Sequence, residues 1–456
     1  MLLGPKFQAF IEASPVCVMI RGTLERILHP DTVEQVFRDN ALSQYTWKIT
    51  FAQCVQIMDA VVFRTQPSIG AWYITHGHAI DATRQAVYDK IKGVEPAVSA
   101  AVVRHAGAEL LGCIRKMKNA PAAPVPGYRL RVLDGNHLTG TEHRLKGLRT
   151  TRAAALPGQA LALYDPRYDL ITDVILCEDA YSQERSLLDQ VLPLIARKDC
   201  VVADRNFCTT GFVFALMRRH AAFVIRQHAT LPVQTVGAVR AAGTDRDGRP
   251  LREQCLRVTD PATGETRMIR RITLPLRTPS AQGETELRIL TNLPPRAAAA
   301  RLVADLYAKR WTVETAFQQL TQDLRCEIDT LAYPRAALFG FSLACVAYNA
   351  VSLVKAALRA RLGPKFVQTE LSMYYLTLEV ARVTAGMEIA IGEKNWRIFR
   401  RMSAAEFLVT ILELAGHVQS SKYKKHTRGP KKKPPKKTSG KGSPHVSTAR
   451  ILAGEG

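Results

Sequence analysis

The sequence predicts a mixed α/β fold whose core is interrupted by a β-rich segment and flanked by helices. Three patterns carry this reading. Between Tyr128 and Gln227, short runs of alternating polarity interleave with segments of helical period. From Leu231 to Pro294 the helical period vanishes, and turn-rich alternating runs replace it. Before about residue 120 and after Pro294, apolar residues recur at helical spacing.

Residues 1–120 read as a helical N-terminal unit. Asp81–Lys92 has Asp81 as an expected N-cap and apolar positions at Ala86, Val87 and Ile91, and a further helix is expected from Ala97 to Met117. Short helices with interspersed Arg and Lys suit a DNA-binding domain of helix-turn-helix type, although any helical adaptor has the same pattern. The Ala-Pro run from Asn119 to Gly127 reads as a linker. Tyr128–Leu133 then alternates and runs into an expected turn at Asp134-Gly135-Asn136. Gln159–Tyr164 and Leu170–Cys177 form a hairpin through Asp165–Asp169. Ser182–Ala196 has the helical period, with Ser182 capping and Glu184 in the first turn. A short strand, Cys200–Ala203, ends at Asp204; a helix over Thr210–His220 and a fifth strand, Ala222–Gln227, complete the set. Three hairpin-connected antiparallel strands followed by a parallel pair, with helices on the faces, match a ribonuclease H-like layout.

After the β-rich insertion of about residues 231–294, Pro294–Leu324 reads as one long helix entered through a Pro-Pro pair. Its apolar stripe is Leu302, Leu306, Val313, Phe317, Leu320 and Leu324, and a second face carries Tyr307, Arg310 and Glu314. Trp311, between them in sequence, is expected to pack in the core. Ala336–Val354 holds 19 residues without a charge, the length a membrane span needs. With Ser342, Tyr348, Asn349 and Ser352 inside it, it is read as a buried helix against the Glu314 helix, so no membrane partner is expected. Leu- and Ala-rich helices continue to about residue 415. The core domain thus spans 127–415, and 416–456 is a basic tail expected to be disordered, with many Lys and no acid between Ser421 and Lys441.

The net charge of +23 and a sequence pI near 9.8 favour a polyanionic partner, nucleic acid before an anionic membrane surface. The nine Cys show no C-x-x-C pair and no zinc spacing. Cys177, Cys255 and Cys345 are read as small core hydrophobes in a reducing cytosol. In open α/β sheets, sites form beyond the carboxyl ends of strands, where Asp134 and Asp204 stand. With Glu314 they make a set of hard oxygen ligands suited to Mg²⁺ or Mn²⁺. Two such ions can hold the attacking and leaving oxygens of a phosphodiester in line. Metal-dependent cutting or joining of DNA is the chemistry this set implies.

In these residues the chain resembles an insertion-sequence transposase of the D-D-E superfamily, in the insertion sequence 4 family. VLDGNHL is similar to that family's first-aspartate motif and VVADRNFCTTGF to its second. Tyr307, Arg310 and Glu314 fall on its Tyr-Arg-Glu-Lys signature, and Thr321 stands where the Lys is expected. The likeness runs from about Tyr128 to Leu324. It implies that Asp134, Asp204 and Glu314 are catalytic and bind two Mg²⁺ or Mn²⁺ ions, and that Tyr307 and Arg310 contact phosphates at the element end. It also implies double-stranded DNA partners (element ends and target DNA), a homodimer pairing two ends, and a place in the bacterial cytoplasm at the nucleoid. A hydroxyl at Thr321 supplies no charge, and Arg325 is the nearby cation that could substitute. No aromatic residue lies between Phe223 and Tyr307, so no base-stacking residue of the insertion is assigned.

Arg205 and Asn206 either bind phosphate or cap the segment after Asp204. Asn136 and His137 are read as turn residues, and Glu327 and Asp329 as surface charge that would replace Glu314 if it proved wrong. Lys431, Lys432 and Lys433 are the densest cations of the tail and are read as phosphate contacts. Rival readings are another ribonuclease H-like nuclease, a catalytically silent DNA-binding derivative, and a basic membrane-associated protein.

Overall fold

The computed structural model describes residues 3–44, 46–138, 157–280, 283–322, 331 and 333–426, with the backbone alone over 320–322. Within these, the first core strand is longer than its turn-like sequence implies. β1 (Arg129–Leu138) runs on through Asp134-Gly135-Asn136, because β2 (Gly158–Asp165) stays paired with it as far as Leu138↔Gly158. The expected turn there, and the turn reading of Asn136 and His137, are therefore wrong. β3 (Leu170–Cys177) returns antiparallel to β2, and β4 (Asp199–Ala203) and β5 (Ala222–Arg226) pair parallel beyond β1. This is the expected antiparallel trio joined to a parallel pair.

The insertion lengthens the same sheet. β6 (Val233–Thr244), β7 (Pro250–Thr259), β8 (Thr266–Pro275) and β9 (Glu286–Thr291) form an antiparallel meander whose last strand pairs with β5. The nine strands lie in the order β3-β2-β1-β4-β5-β9-β8-β7-β6. Alternation along β7 buries Leu256 and Val258 and turns Cys255 to solvent, so Cys255 is not a core residue.

Before β1 come α1 (Gln8–Ala13), α2 (Pro15–Ile27), α3 (Pro30–Asn40), α4 (Phe51–Val62), α5 (Ile69–His76), α6 (Arg84–Gly93) and α7 (Pro96–Ile114). The cap of α6 is Thr83, whose hydroxyl accepts from the Ala86 N–H at 3.2 Å, rather than Asp81. Between β3 and β4 the expected helix breaks into 3₁₀ turns around the single turn of α8 (Leu188–Val191). Pro193 explains this, since it lacks the N–H that an α-helix interior needs; Ser182 bonds Asp179 instead of capping. α9 (Thr210–Arg218) joins β4 to β5, and α10 (Ala300–Ala308) and α11 (Trp311–Gln322) follow the meander. The C-terminal part holds α12 (Pro334–Leu362), α13 (Met373–Ala390), α14 (Glu393–Arg401) and α15 (Ala404–Gly416).

α7 and α12 are long and apolar enough to cross a membrane, but the apolar window of α12 is wholly buried. α12 packs on α7, β3, α4, α2 and α15, and touches α11 only lightly. Its Asn349 meets the outer edge of β3: the amide oxygen accepts from the Ile171 N–H at 2.9 Å, and the amide nitrogen donates to the Ile171 carbonyl at 2.7 Å. A polar residue buried in this helix thus satisfies backbone groups of an edge strand. The helices on the two sides of the Ala-Pro linker share one apolar core with the sheet face below them. The start of the basic tail is also packed: Tyr423 is buried, with its hydroxyl on Glu379 and its carbonyl on the Ser372 N–H. The expected disorder from Ser421 therefore does not begin there, and Lys431, Lys432 and Lys433 lie outside the described residues.

α7 comes down on β3 at Gly107, where an added Cβ would meet the Ile171 carbonyl oxygen at 3.2 Å and the Thr172 Cα at 3.3 Å. Both neighbours are backbone and yield little. Gly107→Val should destabilise the chain by about 1–3 kcal/mol, read as a lower melting temperature by calorimetry. An unchanged melting temperature would mean that the helix does not lie that close to the sheet.

Candidate active site

The site begins with a row across three parallel strands. Leu133 of β1 is level with Ala203 of β4, and Ala203 with Ile225 of β5. One residue further along lie Asp134, Asp204 and Arg226, on strand positions about 4.8 Å apart. Leu133, Ala203 and Ile225 face the core on the α9 side, whereas Val132, Val202 and Val224 face the core that contains α10 and α11. With a side-chain period of two, the row of Asp134, Asp204 and Arg226 points to the α10–α11 side. Pairing of β1 with β4 ends at this level, so the sheet opens beside Asp134.

The other half of the site comes from a broken helix. The single helix expected over Pro294–Leu324 is two, α10 and α11, joined at Lys309-Arg310. There the bonds tighten to i→i−3: Arg310 N–H to Tyr307 O at 2.9 Å, Thr312 N–H to Lys309 O at 3.0 Å and Val313 N–H to Arg310 O at 3.2 Å. The Thr312 hydroxyl also donates to the Lys309 carbonyl, at 2.6 Å, taking an acceptor the helix would use. The entry differs as well, since Pro294 starts a turn and α10 begins only at Ala300. Leu306, Val313 and Phe317 are buried, as expected of the stripe.

Arg310 leaves this junction toward the sheet and is only 7% exposed. Its Nη1 lies 3.0 Å from Asp134 Oδ2 and 2.8 Å from Glu314 Oε1. One guanidinium nitrogen thus joins a mid-strand aspartate to a helix glutamate 180 residues further along the chain. Burial pushes the Asp134 carboxyl up to about 7; Arg310 and the Gly135 N–H oppose this, and the charges of Glu314 and Asp204 add to it. Tyr307, also buried, is pushed up to about 12 by its burial and by Asp204, while Arg310 and Arg226 work the other way. Burial disfavours the charge on Arg310, but Asp134, Tyr307 and Glu314 together hold its pKa above the ordinary value. Glu314 is the most open of the group, its side chain 41% exposed.

Asp204 accepts from the Arg205 N–H at 2.5 Å and caps a 3₁₀ turn over Arg205–Phe207. Arg205 reaches Glu284 at 3.5 Å, on the segment before β9, and Arg226 pairs with the same carboxylate. The Asn206 amide donates to Glu184 at 3.4 Å, and its carbonyl accepts from Arg185 at 2.8 Å. Arg226 escaped the sequence reading, because nothing in AFVIRQ marks it. The signal available was its position, one residue past the strand level with Asp204. Trp311 is not a core residue: it is 59% exposed, with the Arg310 guanidinium carbon 4.5 Å from its ring centre. The side chain of Thr321, and residues Leu324, Arg325, Glu327 and Asp329, lie outside the described set.

Among the described residues no three His, Cys, Asp or Glu side chains stand together as a ready metal cage. The positive charge between Asp134 and Glu314 is the guanidinium of Arg310. The donor chemistry nevertheless fits a hard divalent cation, since Asp134, Asp204 and Glu314 offer only carboxylate oxygens. The raised Asp134 pKa shows that Arg310 leaves negative charge there incompletely offset.

Residues 126–350 match the family model described as transposase DDE domain, just under half of the chain. No curated protein matches the chain. Among solved structures it is similar to piggyBac transposase in a synaptic complex with hairpin DNA, at 9% identity over 84% of each chain and a TM-score of 0.41. That likeness is too slight to bear on the site.

Asp134 holds its proton up to a pH of about 7 in the folded chain, against an ordinary value of 3.8. Between those values the folded state binds the extra proton, so its stability falls as pH rises through the window. In metal-free buffer Asp134→Asn should therefore melt above the parent at pH 8, with the difference shrinking toward pH 4. Equal differences at both pH values by scanning calorimetry would contradict the assignment.

Proposed function

We propose that this chain, which carries a transposase DDE domain over residues 126–350, is a DNA transposase that cuts and joins DNA at Asp134, Asp204 and Glu314. The observation that carries this reading is the shared contact of Arg310 with Asp134 and Glu314, beside the strand row that holds Asp204. The finer family placement, in the insertion sequence 4 branch, rests on Tyr307, Arg310 and Glu314 at the signature spacing. The strand order supports a ribonuclease H-like core.

In this reading the element's terminal inverted repeats and then target DNA are the substrates. Arg310 binds a phosphate through its planar fork, giving up carboxylate oxygens for phosphate oxygens of similar geometry. Tyr307, whose hydroxyl stays protonated well past neutral pH, donates to the same group. Arg205 and Asn206 line the strand end beside Asp204, and Lys431, Lys432 and Lys433 hold the backbone further out. As Arg310 turns to phosphate, Asp134, Asp204 and Glu314 are left as an all-oxygen set that would hold Mg²⁺ or Mn²⁺, two ions in all. Bound there, such ions supply the Lewis acidity that activates a water or 3′ hydroxyl and steadies the leaving oxygen. The N-terminal helices serve end recognition, a homodimer pairs two ends, and the protein works at the nucleoid of a bacterial cytoplasm. A second reading, a catalytically silent DNA-binding derivative, is favoured by Thr321 in the place of the signature Lys.

The test uses purified full-length chain, Mg²⁺, and a plasmid bearing the DNA that flanks the reading frame. Nicking and strand transfer at the flanks are expected, and Asp204→Asn should lower both by at least ~100-fold. End binding in a mobility-shift assay should stay within a few-fold of the parent. Binding without any cleavage by the parent chain would favour the silent derivative, and cleavage without joining would favour a nuclease.

A further inference from the structure

A second polar site lies far from the strand row, inside the helical body. α2, the start of α4, α13 and α14 enclose a cavity of about 310 Å³ that opens to solvent on one side. That volume is at the lower end of the range for small-ligand pockets, about 300–1,000 Å³. Arg21 and Arg400 line it together with Glu25, Asp59, Glu388 and Glu393. In a chain of net charge +23 this is a locally acidic pocket, with four carboxylates against two guanidinium groups.

Both arginines are already committed. Arg21 pairs with Glu388 at 2.8 Å and with Glu25 at 2.9 Å. Arg400 pairs with Glu25 at 3.4 Å and lies 2.6 Å from His29 Nε2. Two polar groups on the wall are left over. Asp59 Oδ1 is closed off from bulk solvent and has no hydrogen-bond partner. Thr384 Oγ1, on a residue only 7% exposed, also has none, although a helical threonine usually bonds a carbonyl of the preceding turn. Burial pushes the Asp59 carboxyl up to about 7, and Arg21 opposes the shift incompletely. Unpaired buried polar groups are costly, and two facing one cavity mark a place where a partner fits.

We propose that this cavity binds a small aliphatic amine, with the ammonium group on Asp59 and Thr384. An ammonium offers three donors and a positive charge, which is what one carboxylate and one hydroxyl lack. The methylene chain would lie against Ile20, Leu24, Val55 and Val380, the apolar part of the same wall. A bare divalent ion fits less well, because it needs six or more oxygens and Glu25 and Glu388 already bond arginines. This site is independent of the DNA chemistry, since none of its residues belongs to the strand row.

The test is calorimetric titration of the DNA-free full-length chain with 1,4-diaminobutane at pH 8, against a sodium chloride control of equal ionic strength. One saturable site per chain is expected. Asp59→Asn should weaken it at least about tenfold, and Thr384→Val, which keeps the carboxylate, roughly fivefold. Heats no different from the salt control would overturn the proposal. So would unchanged affinity in Asp59→Asn, or in Thr384→Val should the first variant fail to fold.

Discussion

The arrangement depends on a buried cation held between two acids of distant origin. Arg310 is 7% exposed and reaches Asp134 on the sheet and Glu314 one helical turn ahead of it. An arginine in that position costs desolvation unless its donors are used, and a mid-strand aspartate costs the same unless it is paired. Each solves the other's problem, and α11 is thereby tied to β1. The solution is incomplete, since Arg310 Nε finds no partner and Asp134 still holds a raised pKa. A site left short of positive charge is poised to exchange one cationic partner for another.

The geometry that permits this comes from two irregularities. The sheet stops pairing on one side of β1 at Leu133↔Ala203, which exposes the acid row at a strand level where a regular sheet would cover it. The helix breaks at Lys309-Arg310, which lets Tyr307 and Arg310 both turn inward while Trp311 turns out. Around them the packing is conventional, with apolar residues on both sheet faces. The β6–β9 meander adds Glu284, which engages Arg205 and Arg226 at the far end of the row.

Much of this was legible in the sequence, for reasons that differ by element. Period-two alternation gave the strands from β1 to β5, and their order gave the antiparallel trio beside a parallel pair. The spacing of Tyr307, Arg310 and Glu314 put them on one helical side, and Arg310 does meet Glu314. What escaped depends on tertiary partners. β2 holds Asp134-Gly135-Asn136 extended although their residue types favour a turn. Pro193 outweighs the periodicity of Ser182–Ala196. Tyr423 anchors the start of a tail whose composition reads as disordered. Arg226 carries no local signature, and only the register beside Asp204 reveals it.

The most direct measurement is anomalous diffraction from crystals of the full-length chain grown with Mn²⁺ and a short DNA duplex. The account predicts manganese density bounded by Asp134, Asp204 and Glu314, with the Arg310 guanidinium moved from the carboxylates onto a phosphate. Arg310 still bridging Asp134 and Glu314, with manganese bound elsewhere, would contradict it.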